Sequence, residues 1–266
     1  MSDAMGKVED AAKDVEDHPA ASWVAAAGHV ANGIVHAVIG LIAISIARGA
    51  GGEADQGGAM RAIESTPLGE ISLWVVGVSM VGLGLYTLAT AIGQLRDDLW
   101  QGLKDLGRMV TYFAVGVVAL TYATGGTSSG EGTTESLSAR LMATGWGSIL
   151  LVIVGLAIVA IGVGMIVSGV RQRFMRHVDV SPKSQKWFVP LGIAGYVAKG
   201  LAVAAVGVLF VVAVWTSDPS QTGGLDGALK SFTQLPFGRV VLFGIAVGLI
   251  TYGLFCLARA RKAKPA

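Results

Sequence analysis

The sequence predicts an all-α polytopic membrane protein, with six transmembrane helices forming three tandem two-helix repeats in a pseudo-threefold arrangement. Three observations carry this. Hydrophobic residues make up 53% of the 266 residues and charged residues 14%, where a soluble chain holds about 25% charged. The apolar residues lie in long blocks, and the mean hydropathy is +0.62. A helix, a glycine-rich loop and a second helix recur along the chain, the signature of an internal repeat.

The opening segment, residues 1–21, is polar and acidic. It has no basic stretch followed by an apolar one, so it does not read as a cleaved signal peptide. Six apolar blocks follow, at about 23–47, 71–93, 109–124, 148–170, 190–215 and 240–258. Most are near or above the ~20 residues that cross a ~30 Å hydrocarbon layer. Lipid offers the backbone no hydrogen bonds, so blocks of this length are helices. The block at 109–124 is the shortest and carries Arg108 at its lip; the repeat requires it as a span. The expected organisation is an acidic segment (1–21), repeats over 22–96, 97–173 and 190–260, a basic linker (174–189) and a basic tail (261–266).

Lysine and arginine set the orientation. One side of the membrane receives Lys7, Lys13, Arg96, Lys104, Arg108, Arg171, Arg173, Arg176, Lys183, Lys186 and the basic tail. The other receives only Arg48, Arg61, Arg140, Lys230 and Arg239. The positive-inside rule then places both termini in the cytoplasm, and a bacterial plasma membrane is the expected location. Tryptophan agrees: Trp23, Trp100 and Trp187 fall at the expected cytoplasmic ends and Trp74, Trp146 and Trp215 near the outer ends. An amphipathic ring is stable at such a boundary.

The three outer loops share a plan of glycine and polar residues, then a short amphipathic run. Gly58-Ala59 matches Gly227-Ala228, Arg61 matches Lys230, and Pro67-Leu68-Gly69 matches Pro236-Phe237-Gly238; Gly147 takes the place of Gly69 in the second unit. The second helices carry a small-residue seam, Gly77 and Gly84, Gly155 and Gly162, Ala246 and Gly253. Small residues let helix backbones approach closely, which matters where lipid supplies no hydrophobic drive between helices. The first helices begin with Gly28, Gly107 and Gly195 at equivalent positions. On this layout, with its G-x-[VM] and P-[LF]-G signposts, the chain from about 22 to 260 resembles the uncharacterised bacterial membrane family called domain of unknown function 1206. The resemblance implies three tandem two-helix membrane repeats and supplies no activity.

Within the first span, "GHVANGIVH" places His29, Asn32 and His36 on one helix face, since i, i+3 and i+7 align. Such a stripe faces a bundle interior or a wet cavity. The repeat aligns Asn32 with Thr111 and Lys199, so these three residues, with His29 and His36, are the candidates for a central polar site. Two readings stand. Either they form one polar constriction, or Lys199 snorkels to the surface while Asn32 and Thr111 bond neighbouring helices. His29 and His36 are about 10.5 Å apart along their helix, too far to share a metal, and no metal or cofactor is expected.

Other chemistry finds no support. There is no Walker A, H-E-x-x-H or C-x-x-C, and no enzymatic activity is expected. Gly82-x-Gly84 lies within a span and reads as packing. Cys256, the single cysteine, excludes an internal disulfide, and the net charge of +2 is too small to indicate a nucleic-acid partner. The basic stretch holding Arg171, Arg173, Arg176, Lys183 and Lys186 is either a topology anchor or a contact for lipid head groups. Two function classes therefore fit. One is a non-catalytic scaffold or accessory component of the cell envelope, its partners the bilayer, other membrane proteins or a second copy of itself. The other is a small channel or transporter constricted at Asn32/Thr111/Lys199.

Overall fold

The computed structural model describes residues 19–97, 99–128, 130–177 and 182–260, and all regular structure among them is helical. Six helices are long and apolar enough to cross a membrane: α1 (Pro19–Ala47), α3 (Gly69–Asp97), α4 (Leu99–Ala123), α6 (Gly145–Val170), α7 (Pro182–Thr216) and α9 (Gly238–Ala260). Three short helices lie in the loops that join the two spans of each repeat: α2 (Gln56–Glu64), α5 (Gly130–Met142) and α8 (Gly224–Ser231). Segments 1–18 and 261–266 lie outside the described residues, as do the side chains of Trp23, Trp100, Arg176 and Lys183.

The third span begins earlier than the sequence suggests, at Gly102. The charges that had placed its boundary at 109 pair with each other: Arg108 Nη1 lies 2.6 Å from Oδ1 of buried Asp105, one turn earlier. The pair lets the helix continue through them. The stretch between the second and third apolar blocks, 94–108, is consequently helical at all its described residues, in α3 up to Asp97 and in α4 from Leu99.

The chain packs as two compact units. Of the described residues, the first comprises those up to 32, those in 63–126 and those from 256 on; the second, those in 33–62 and 127–255. In the first, α3 pairs with α4. Leu73, Val76, Met80 and Leu83 are buried along one face of α3, while Ile71, Val75, Val78 and Leu85 are exposed along another. Both faces are apolar, which suits a helix whose outer solvent is lipid. In the second unit α6 pairs with α7, and α9 with the part of α1 from Gly33 on. The four described tryptophans, Trp74, Trp146, Trp187 and Trp215, are all exposed.

The glycine seams lie on these pairings. A Cβ on Gly162 would come within 2.6 Å of Gly200 O, and one on Gly155 within 2.8 Å of Gly207 O. Gly253 faces Gly33 O at 2.6 Å in the same sense, and Gly40 faces Ala246 O at 2.7 Å. In the first unit Gly77 packs on Leu120 and Gly84 on Phe113. So the second helix of each repeat packs on the first helix of the next, and the last pairs with the first.

The outer-loop signposts acquire a physical reason. Gly69 and Gly238 start their spans and Gly147 lies in the first turn of its span, each directly against a backbone carbonyl of the preceding segment: those of Ile63 and Glu64, of Phe232, and of Leu141. A side chain at any of them would collide with that carbonyl. Thr144 also caps α6, its Oγ1 accepting a hydrogen bond from Gly147 N at 3.1 Å.

Candidate functional site

Of the polar residues in the spans, the structure gathers two at a residue the sequence reading did not single out. Tyr252 on α9 is 9% exposed. The His36 ring, from α1, lies 4.9 Å from it between centroids, and Lys199 Nζ, from α7, stands 4.3 Å from the centroid of the same ring. Gly195 makes this possible. A Cβ there would sit 2.6 Å from Tyr252 Cα, so α7 and α9 approach closely, and Lys199, one turn later on the same face, overlies the ring. A cation over an aromatic face is attracted by its quadrupole. Tyr196 meets Tyr252 edge-on at 5.6 Å.

The remaining candidates lie elsewhere. In the first unit, Asn32 donates to Cys256 Sγ at 3.5 Å, linking α1 to α9 through a weak acceptor. His29 is half-buried on α1. Thr111 is exposed, and its hydroxyl donates to Gly107 O of its own helix at 3.0 Å. Among the described residues no three His, Cys, Asp or Glu stand together as metal ligands.

A second polar cluster, in the loops that join the two spans of a repeat, escaped the sequence reading altogether. Asp226, fully buried in α8, accepts a hydrogen bond from Ala54 N at 2.7 Å and pairs with Lys230 at 2.5 Å. It thereby ties the loop within the third repeat to that within the first. Asp55 is buried and caps α2, accepting from Gly58 N at 2.8 Å. Its other oxygen lies where a Cβ on Gly130, the first residue of α5, would meet it at 3.2 Å. Burial, with Asp226 and Glu53 nearby, holds the Asp55 carboxyl above its ordinary value despite the Gly58 bond. Two signals for these residues were present: the i, i+4 spacing of Asp226 and Lys230, and an aspartate three residues before Gly58 at a helix start. For Tyr252 the signal was the repeat, which aligns it with Leu83 and Ile161, aliphatic residues at positions where only the third copy has a ring.

Six apolar helices, a small-residue seam repeated at equivalent positions and few polar side chains in the spans define a multi-pass helical membrane protein assembled from a triplicated hairpin. The chain belongs to the family described as Domain of Unknown Function (DUF1206), whose model matches three times, at residues 27–94, 106–172 and 194–263. It is similar to "Uncharacterized protein YxxB" of Bacillus subtilis (strain 168), with 29% identity over 244 residues, 87% of each chain. No solved structure matches it.

Proposed function

We propose that the protein is a non-catalytic component of the bacterial plasma membrane, with both termini cytoplasmic, acting as a scaffold or accessory subunit for other membrane proteins. The observation that carries this is the fate of the polar groups in the spans: Lys199 and His36 are engaged on Tyr252 and Asn32 on Cys256. Side chains committed to neighbouring helices hold those helices together. The distribution of lysine and arginine supports the orientation. The exposed face of α6 supports the accessory role. Ala157, Ala160 and Gly164 are small and exposed there, among exposed Ile153, Leu156 and Ile161, and a partner helix could approach such a face closely.

Thiol accessibility tests the reading. Cysteine is introduced singly at positions 32, 36, 111 and 199 on a Cys256→Ser background and treated with a membrane-impermeant maleimide in inverted and right-side-out vesicles. Protection at 32, 36 and 199 is expected. Reaction at 32, 111 and 199 would replace the scaffold with a channel or transporter constricted at that level. Copurification from native membrane then tests the accessory role, for which a stoichiometric companion is expected.

A further inference from the structure

Where α6 ends and α7 begins, a knot of rings packs together. Phe174 stacks on Tyr196, with 5.4 Å between centroids and 12° between planes, and meets Phe255 edge-on at 5.2 Å. Phe188 lies 4.8 Å from Phe255. The Phe174 ring closes on Gly192, where any side chain would collide with it. Phe174 and Phe188 are both buried, while the residues beside them are not. Arg171 and Arg173 before Phe174 are exposed, and so are Lys186 and Trp187 before Phe188, with Trp187 79% exposed. Each buried ring therefore fixes the backbone next to an exposed cation. Between the two arginines, Gln172 has φ +54°, a left-handed conformation that sharply turns the chain at the end of α6.

Length places this collar at the membrane surface. α7 has 35 residues, about 52 Å at 1.5 Å per residue, whereas the hydrocarbon layer takes up about 30 Å. Gly169, at the end of α6, packs against Tyr196 and Ile193, so the start of α7 extends past the end of its partner, to the depth of the head groups. An exposed indole is stable at that depth. Asp179 is the single acidic residue between 171 and 192.

We propose that this collar, formed by Arg171, Arg173 and Lys186 with Trp187 beside them, binds the head groups of anionic phospholipids. Arginine guanidinium groups bond phosphate oxygens in pairs, and the ring knot supplies the cations already placed, which lowers the ordering cost of binding. A topology anchor needs only positive charge somewhere in the loop and has no use for a fixed arrangement. The proposal stands independently of the scaffold reading.

Native mass spectrometry of the full chain in detergent, titrated with dioleoylphosphatidylglycerol or dioleoylphosphatidylcholine, tests it. Preferential retention of phosphatidylglycerol is expected. The triple variant Arg171→Gln/Arg173→Gln/Lys186→Gln should lower that retention at least tenfold, since each cation near an anionic surface is worth about fivefold in binding. A control triple, Lys104→Gln/Arg140→Gln/Arg239→Gln, removes the same charge at exposed positions elsewhere and should retain phosphatidylglycerol as the parent does. Arg173→Gln alone, a single surface change, should show about a fivefold loss. Equal retention of the two lipids by the parent chain would overturn the proposal, and so would equal loss in the two triple variants.

Discussion

Alanine placed at Gly162 and, separately, at Gly164 isolates the energy of the seam between α6 and α7. The two glycines are two residues apart in the middle of one helix, so alanine gains the same backbone term at each, about 1 kcal/mol. Their surroundings are opposite. A Cβ at Gly162 would lie 2.6 Å from Ala204 N and Gly200 O and 2.8 Å from Ala204 Cβ, while one at Gly164 would meet nothing within 4 Å. Carbon atoms pack at about 3.5–4.0 Å, so the helices must part by roughly 1 Å to admit the methyl. Overpacking costs about 1–3 kcal/mol, and the obstructing atoms here include backbone, which puts the cost at the upper end. Gly162→Ala is then destabilising by about 2 kcal/mol net, and Gly164→Ala stabilising by up to about 1 kcal/mol. The difference between them, about 3 kcal/mol, is free of the helix-propensity term. Unfolding in detergent micelles, followed by circular dichroism, reads it directly. Equal midpoints for the two variants, or a lower midpoint for Gly164→Ala, would refute the close approach of the two backbones.

Three further outcomes follow from the polar contacts. Asp226→Ala removes a charged acceptor from Ala54 N and should cost about 1.5–3 kcal/mol, with little added from the Lys230 pair, whose lysine side chain is 44% exposed and therefore screened; the same unfolding assay checks it. Asp55 has a folded pKa raised above its ordinary 3.8, so the fold favours its neutral form. Its contribution to stability is therefore full at acidic pH and is lost as pH rises through the raised value. Amide protection factors at residues 53–60, corrected for the intrinsic pH dependence of exchange, should rise on mild acidification, and Asp55→Asn should abolish that rise. Lys199→Met and Tyr252→Leu should couple by about 0.5–2 kcal/mol in a double-mutant cycle; additive losses would mean that the ammonium and the ring do not interact.

The spans were legible because apolar length is a one-dimensional signal, and all six appear. Their ends were read well where glycine or polar residues cut the block, as at Val170, and poorly where charges pair within the helix, as at Asp105 and Arg108. Periodicity also marked the seam glycines as one face of each second helix. It could not tell which helix meets that face, because spacing fixes a direction about one axis and carries no information on the neighbour. The same limit hid the meeting of His36 and Lys199 at Tyr252, which join from helices 1, 7 and 9. The outer polar cluster was hidden for a different reason. Ala54 and Asp226 are far apart in sequence, and the bond between them uses a backbone N–H, which no residue type announces.

The repeating unit of the sequence and the packing unit of the fold are therefore offset by one helix. An isolated repeat would present a small-residue face on its second helix with no partner, since that partner belongs to the next copy. The three seams also differ in what they set face to face. Gly162 meets Gly200 and Gly253 meets Gly33, backbone against backbone, both at 2.6 Å from the carbonyl oxygen to a notional Cβ. At the equivalent place in the first unit, the residue aligned with Gly33 and Gly200 is Tyr112, and Gly84 faces the Phe113 ring at 3.2 Å. A ring can rotate about its own bonds where a carbonyl in a helix cannot. Gly107, the counterpart of Gly28 and Gly195, faces open space on the same helix, whereas those two are packed on Leu83 and Tyr252. At this level the seam between α3 and α4 is thus the loosest of the three, although its backbones still approach elsewhere along it, where a Cβ on Gly116 would lie 3.3 Å from Gly77 O.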